Sequence, residues 1–225
     1  MDTKEILKRV DHTLLSTTAT FAEYVKLCEE GIKYGVASIC IPPCYVYECK
    51  NHMIKNKSEI PICTVIGFPN GYNETFIKTS EAINTANNGA TEIDMVANIS
   101  WIKNGWFDEV LNDIKDVRGI IPRSILKVII ETSLLTDDEK KKMCEVVGES
   151  GADFIKTSTG FASGGATFKD VALLREYSPP HVKVKASGGI NSLEDATEFI
   201  RLGADRLGTS KIVKLVQGLG DKSVY

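Results

Sequence analysis

The 225-residue chain has no apolar run long enough to cross a bilayer. Its first residues, Met1-Asp2-Thr3-Lys4-Glu5, lack the hydrophobic core of a signal peptide. Both absences predict a cytoplasmic protein with no membrane partner. There is no paired CxxC spacing among Cys28, Cys40, Cys44, Cys49, Cys63 and Cys144. A zinc site of the usual kind is therefore not expected, and the cysteines are read as reduced thiols. No HExxH motif and no Walker sequence occurs, so neither a metal nor a cofactor is expected. A basic excess is also missing. The net charge is -3 at pH 7, which argues against a nucleic-acid partner held by bulk electrostatics. No low-complexity stretch or Pro/Gly linker divides the chain, so residues 1–225 are expected to form a single domain.

What the chain does have is a rhythm. Short apolar, β-prone runs alternate with longer polar stretches of helical period. Eight candidate strands end near His12, Ile41, Ile66, Val96, Glu131, Thr157, Ala186 and Gly208. The clearest is Ile125-Leu126-Lys127-Val128-Ile129-Ile130-Glu131, a near-continuous apolar run of the kind found in parallel strands covered on both faces. The stretch 20–34 places Phe21, Val25, Cys28 and Ile32 at helical spacing. Thr136 before Asp137-Asp138-Glu139, and Ser192 before Glu194 and Asp195, read as helix starts. Strands alternating with helices predict βαβ units, and eight such units fit an α/β (β/α)8 TIM barrel. A doubly wound open sheet is the alternative. It would favour a glycine-rich loop after its first strand, and Val10-Asp11-His12-Thr13-Leu14 holds no glycine.

In a (β/α)8 barrel, reacting side chains come from the C-terminal ends of strands. Polar residues near those ends are Asp11, Cys40, Asp94, Lys127, Glu131, Lys156 and Lys185. Charges in apolar strands are costly unless paired, so their convergence points to a site. Alternation sharpens this. Glu92 with Asp94, Lys127 with Ile129 and Glu131, Phe154 with Lys156 and Ser158, and Lys183 with Lys185 each share one strand face. A lone strand-end lysine ordinarily snorkels to solvent. Lys156, however, is followed by Thr157-Ser158-Thr159-Gly160, and a second lysine, Lys185, ends a nearby strand. A neighbouring ammonium and partial desolvation both favour the free amine that a Schiff base needs. Asp94 reads equally as a proton carrier or as a structural partner for a lysine. Cys40 reads as a core thiol, and His12, His52 and His181 as surface or core residues. Ser187-Gly188-Gly189 and Leu207-Gly208-Thr209-Ser210 sit late in the chain, where barrels bind phosphate through backbone N–H groups and a short helix N-terminus.

These runs together resemble the deoxyribose-phosphate aldolase family. The likeness extends through Asp11-His12-Thr13-Leu14-Leu15, Val65-Ile66-Gly67-Phe68-Pro69 and Glu92-Ile93-Asp94-Met95-Val96. Its most specific parts are Phe154-Ile155-Lys156-Thr157-Ser158-Thr159-Gly160, Val184-Lys185-Ala186-Ser187-Gly188-Gly189 and Gly203-Ala204-Asp205-Arg206-Leu207-Gly208-Thr209-Ser210. The resemblance implies a metal-free aldolase that reversibly cleaves 2-deoxy-D-ribose 5-phosphate to D-glyceraldehyde 3-phosphate and acetaldehyde. It implies Lys156 as the Schiff-base lysine, Lys185 as the lysine that tunes it and Asp94 as the proton relay. Asp11, Thr13 and Lys127 match pocket residues near the sugar. Gly160, Gly188, Gly189, Gly208 and Ser210 match the phosphate loops. The family commonly forms dimers or tetramers, so a homo-oligomer is expected. The run Gly71-Tyr72-Asn73-Glu74-Thr75 departs from the small-residue loop of the family and is expected to alter the rim of the mouth. Some members fold a C-terminal tyrosine over the site, and Tyr225 reads equally as that residue or as part of a free terminal tail. Two other readings stay open on these residues: another lysine-dependent sugar-phosphate or keto-acid aldolase, and a barrel that binds a sugar phosphate without turnover.

Overall fold

The computed structural model describes residues 1–218. Eight parallel strands close into a barrel in chain order. They are β1 (Val10–Thr13), β2 (Ser38–Ile41), β3 (Ile62–Ile66), β4 (Glu92–Val96), β5 (Ile125–Ile129), β6 (Phe154–Lys156), β7 (Lys183–Ser187) and β8 (Arg206–Thr209). Closure comes from β8 pairing with β1, Val10 lying opposite Leu207. The open-sheet alternative is thereby set aside. Around the barrel run helices α1 (Thr3–Leu7), α2 (Phe21–Tyr34), α3 (Val46–Lys55), α4 (Thr75–Asn87), α5 (Ile99–Lys103) and α6 (Phe107–Ile120). They are followed by α7 (Asp137–Glu149), α8 (Phe168–Tyr177), α9 (Leu193–Arg201) and α10 (Ile212–Val216). No helix among the described residues is long and apolar enough to cross a membrane.

Strand alternation divides the molecule into two cores. Ile39, Ile41, Ile62, Ile66, Ile93, Met95, Leu126, Val128, Ile155, Val184 and Leu207 point outward and pack in one cluster with the helices. A second, small cluster of Cys40, Cys63 and Val65 lies inside the barrel, with Leu15 and Phe68 against it. Inward positions also carry Asp11, Glu92, Asp94, Lys127, Lys156, Lys185 and Arg206, beside uncharged residues such as Phe154 and Ile129. The barrel interior is thus mostly ionic on the β4–β8 side, and the site is built from that feature.

The helices start where their caps dictate. Thr136 accepts a hydrogen bond from Glu139 N and closes a capping box at α7. Ser192 accepts from Asp195 N at α9. The buried stripe of α2 differs from the one the apolar spacing suggests. Tyr24, Leu27, Cys28 and Gly31 are buried, whereas Phe21 is exposed. Gly31 admits the side chain of Ile39, whose nearest atom would stand 3.0 Å from an added Cβ. The helix turns Tyr24, Leu27, Cys28 and Gly31, not Phe21, to the barrel.

β5 also ends two residues earlier than the apolar run suggests. Glu131 has φ 51 and opens a 3-10 turn over Thr132–Leu134. Its carboxylate accepts from Thr159 N at 3.1 Å and Thr159 Oγ1 at 2.5 Å. Glu131 therefore ties β5 to the loop after β6. Buried ion pairs join outer helices. Lys78 Nζ meets Asp113 Oδ2 at 2.6 Å between α4 and α6, and Lys140 Nζ meets Asp170 Oδ1 at 2.6 Å between α7 and α8. Buried His12 bonds Glu30 at 2.9 Å, joining β1 to α2. His52 is partly exposed and His181 exposed, so the reading of all three as core or surface residues fits their positions.

Candidate active site

Lys127, Lys156 and Lys185 come from three successive strands and converge on one carboxylate. Lys127 Nζ lies 2.9 Å from Asp94 Oδ1. Lys156 Nζ and Lys185 Nζ each lie 2.7 Å from Asp94 Oδ2. Strand register explains the meeting. Asp94 is opposite Lys127 across β4 and β5, and Lys156 is opposite Lys185 across β6 and β7. A stagger of one inward position carries all four side chains to the same level of the barrel.

Beneath them a second tier closes the network. Lys185 Nζ lies 2.5 Å from Asp11 Oδ2 as an ion pair without hydrogen-bond geometry. Lys127 Nζ lies 2.6 Å from Glu92 Oε2. Arg206 Nη1 donates to Asp11 Oδ1 at 2.6 Å, and its Nη2 to Glu92 Oε1 at 3.2 Å. Ser38 Oγ donates to Asp11 Oδ1 at 2.6 Å. Cys63 Sγ donates to Asp94 Oδ1 at 3.1 Å. Cys40, Cys63 and Asp94 form one group of ligand-type atoms, and Asp11, Cys63 and Glu92 another. The cations their carboxylates hold are ammonium and guanidinium groups, whose charge repels a metal ion.

The electrostatics follow from this pairing. Burial raises the acidity threshold of Asp94, but the three lysines outweigh it and hold the carboxyl well below its usual range. Asp94 at rest is thus a counter-ion, not a store of protons. Asp11 is lowered likewise, Lys185 and Lys127 opposing the burial that works against its charge. Lys185, against the desolvation of burial, is pushed above the usual lysine range by Asp11 and Asp94. Lys127 is raised too, its desolvation outweighed first by Asp94. Burial pushes the Cys63 thiol well up. Lys156 and Lys185 are joined through one shared oxygen, Oδ2 of Asp94.

Above this network opens a cavity of about 800 Å³ at the C-terminal ends of the strands. Lys156, Thr13, Gly160, Gly188, Gly189, Gly208 and Ser210 all line it. The loop residues expected around a phosphate are therefore gathered on the wall that carries Lys156. Lys185, Asp94, Asp11 and Lys127 are absent from that wall and fully buried. Asp11 and Lys127 lie just below the cavity floor, held in the ion network with Lys185 and Asp94. Gly188 and Gly189 have φ 72 and 73, a conformation that glycine adopts without strain. At the N-terminus of α9, Asp195 N donates to Ser192 Oγ and Asn191 N donates to Asp195 Oδ2, each at 2.9 Å.

Gly208 has a second reason to be glycine. A Cβ there would stand 2.3 Å from Ser187 Oγ and 3.1 Å from Lys185 Cε. The residue keeps open the space through which the Lys185 stem runs. The departing loop at residues 71–75 contributes nothing to the cavity wall. Gly71 itself packs against β4, where an added Cβ would overlap Ala97 O, while Tyr72 beside it is exposed. Phe161 lines the mouth instead, with its ring edge-on to Phe68 at 5.2 Å. Tyr225 lies outside the described residues.

Several groups at the site were not singled out by motif reasoning. Arg206 sits in a quoted run, but its place at the barrel floor needs the β7–β8 register, which sets it opposite Lys185. Inward alternation with Gly208 on β8 is the signal that could have exposed it. Cys63 carries the same signal, two residues before Val65. Lys211 and Lys214 line the cavity, and Lys211 Nζ bonds Asn191 Oδ1 at 2.7 Å. They add positive charge beside the glycine loops.

A family model described as DeoC/LacD family aldolase matches residues 5–211. The chain belongs to this aldolase family. The enzyme is 51% identical over 214 residues to the deoxyribose-phosphate aldolase of Clostridioides difficile strain 630, covering 95% of this chain and 96% of that one. It is 50% identical over 223 residues to the deoxyribose-phosphate aldolase of Streptococcus pyogenes serotype M4, with 99% of each covered. Among solved structures, the aldolase resembles a putative deoxyribose-phosphate aldolase from Coccidioides immitis with TM-score 0.91 and 39% identity, over 96% of this chain and 87% of that one. A deoxyribose phosphate aldolase from Aeropyrum pernix, described as tetrameric, gives TM-score 0.90 and 31% identity over 96% and 92%.

Proposed function

We propose that this aldolase reversibly cleaves 2-deoxy-D-ribose 5-phosphate to D-glyceraldehyde 3-phosphate and acetaldehyde through a Schiff base on Lys156. One observation carries the reading. Of the three lysines gathered on Asp94, only Lys156 lines the open cavity, and it shares that wall with the glycine loops. The relatives named deoxyribose-phosphate aldolase support the choice of substrate.

In the cleavage direction, the Lys156 amine attacks the C1 aldehyde of the open-chain sugar. Water leaves with proton transfers through Asp94 and Lys185, and the iminium becomes the electron sink. Loss of the C3 hydroxyl proton breaks the C2–C3 bond and releases glyceraldehyde 3-phosphate. The enamine takes a proton, and hydrolysis frees acetaldehyde and the lysine. Gly160, Gly188, Gly189, Gly208 and Ser210 hold the phosphate remote from the reacting carbons, and that binding orients C1 toward Lys156. Thr13, on the same wall, meets the sugar. Asp94, bonded to both lysines through Oδ2, passes these protons on rather than storing them. A phosphorylated substrate is retained by its charge, so the activity belongs to the cytoplasm. The working form is a homo-oligomer, as the Aeropyrum pernix relative is described.

The test is to add acetaldehyde and borohydride, digest the protein and map the alkylated lysine. Label on Lys156 and turnover of 2-deoxy-D-ribose 5-phosphate in a coupled assay are the expected results. Label on another lysine, or on none, sinks the mechanism. Label on Lys156 without turnover of this sugar leaves the mechanism and overturns the substrate.

A further inference from the structure

The charged barrel interior is unbalanced. Among the described residues, Lys127, Lys156, Lys185 and Arg206 pair with three carboxylates, those of Asp11, Glu92 and Asp94. Uncompensated charge in a buried network is costly. One cation therefore has reason to lose its proton, and the contacts say which. Arg206 does not titrate in this range and lies against both Asp11 and Glu92. Lys127 and Lys185 are each held by more than one carboxylate. Lys156 has one carboxylate oxygen, shared with Lys185, and an open cavity beside it.

We propose that Arg206 is a positioning residue for the free amine of Lys156. By occupying Asp11 and Glu92 at the barrel floor, it leaves the three lysines too little negative charge and makes the Lys156 proton the one that leaves. It does this without touching Lys156 or any substrate. The inference rests on the reading of Lys156 as the covalent residue.

The other titratable groups facing this network are accounted for. From β2 and β3, Cys40 and Cys63 pair, and Cys63 is held as a thiol by burial. The Cys40 thiol is lowered, first by the bond with Cys63 and then, against its burial, by Lys185. Cys40 is thus the one rival outlet, since a thiolate there would balance the fourth cation. Across the open cavity, Glu23, Lys211 and Lys214 lie on the solvent side, where screening weakens them. Glu131 is engaged by Thr159, and Lys183 stands 5.6 Å from the Phe154 ring centroid.

The experiment is the rate of acetaldehyde trapping by borohydride as a function of pH, read from the acid limb where amine is being formed. Arg206→Met removes a cation and should move the limb up by about one pH unit. Glu92→Gln removes an anion and should move it down by about as much. Arg206→Lys, and the double variant Arg206→Met with Glu92→Gln, should return it to the wild-type position. Cys40→Ala should leave the limb in place. A merely structural role would lower the rate in every variant without opposite shifts. An unmoved limb in Arg206→Met and Glu92→Gln overturns the proposal, as does a downward shift in Cys40→Ala. Should Arg206→Met fail to fold by circular dichroism, Glu92→Gln and the double variant still decide the sign. Failure of wild-type enzyme to label Lys156 is a different result and overturns the Schiff-base reading instead.

Discussion

Lys156 and Lys185 hydrogen-bond to the same oxygen, Oδ2 of Asp94, each at 2.7 Å. One lysine faces the cavity and the other is sealed beneath it, so a single carboxylate couples a cavity-facing lysine to a buried one. Asp94→Asn keeps the shape and removes the charge. Turnover is expected to fall by about 10²–10⁴-fold, the usual worth of a positioned acid–base group. Stability should fall by about 3–5 kcal/mol because buried ammonium groups lose their counter-ion. Steady-state kinetics and urea denaturation measure both. Activity within tenfold of wild type would show that the carboxylate's charge is dispensable.

Gly208→Ala places a methyl against Ser187 Oγ and the Lys185 stem. Turnover should drop more than about tenfold, with a stability loss of roughly 1–3 kcal/mol from overpacking. A variant with weakened phosphate binding but unchanged kcat would instead mean that the loop, and not Lys185, is what the methyl disturbs.

Lys78 and Asp113 form a fully buried pair between α4 and α6, and Thr75 Oγ1 also donates to Asp113 at 2.8 Å. Asp113→Ala strands the lysine and should cost about 3–5 kcal/mol. Replacing both partners, Lys78→Met with Asp113→Leu, should recover most of that loss. Equal destabilisation in the single and double variants, read from urea midpoints, would contradict a charge-pair origin.

Stability should depend on pH in a definite way. Asp11 and Asp94 are lowered in the folded state. Their contribution is present above the unfolded carboxylate value of about 4 and is lost as pH falls through the lower folded values. Lys127 and Lys185 are raised. Theirs is full below the unfolded lysine value of about 10.4 and is lost only as pH rises through the higher folded values. Thermal midpoints should therefore form a plateau from about pH 5 to 9 and decline below about pH 4. A decline starting near pH 6 would assign the acid limit to other groups.

Much of this was legible before any coordinates. Alternation on β4, β5 and β7 told which charged residues face inward, because side chains two apart share a strand face. The late glycine loops reached the cavity wall as their position suggested. The apolar spacing from Phe21 selects a different stripe of α2, because the buried face runs through Tyr24, Leu27 and Cys28 to Gly31, which carries no hydrophobic signal. The apolar run reaches past the end of β5 because Glu131 takes a left-handed turn that apolar patterning does not record.

The sequence by itself determined the eight-unit rhythm, the inward lysines and the loops, since each of these is a local property of pattern and spacing. Tertiary structure alone decided that three lysines share Asp94 and that Arg206 closes the floor. It also decided that only Lys156 among those lysines meets the cavity. Those facts depend on strand stagger around a closed barrel, which brings together residues as far apart as Asp11 and Arg206. No local signal carries the distance between them.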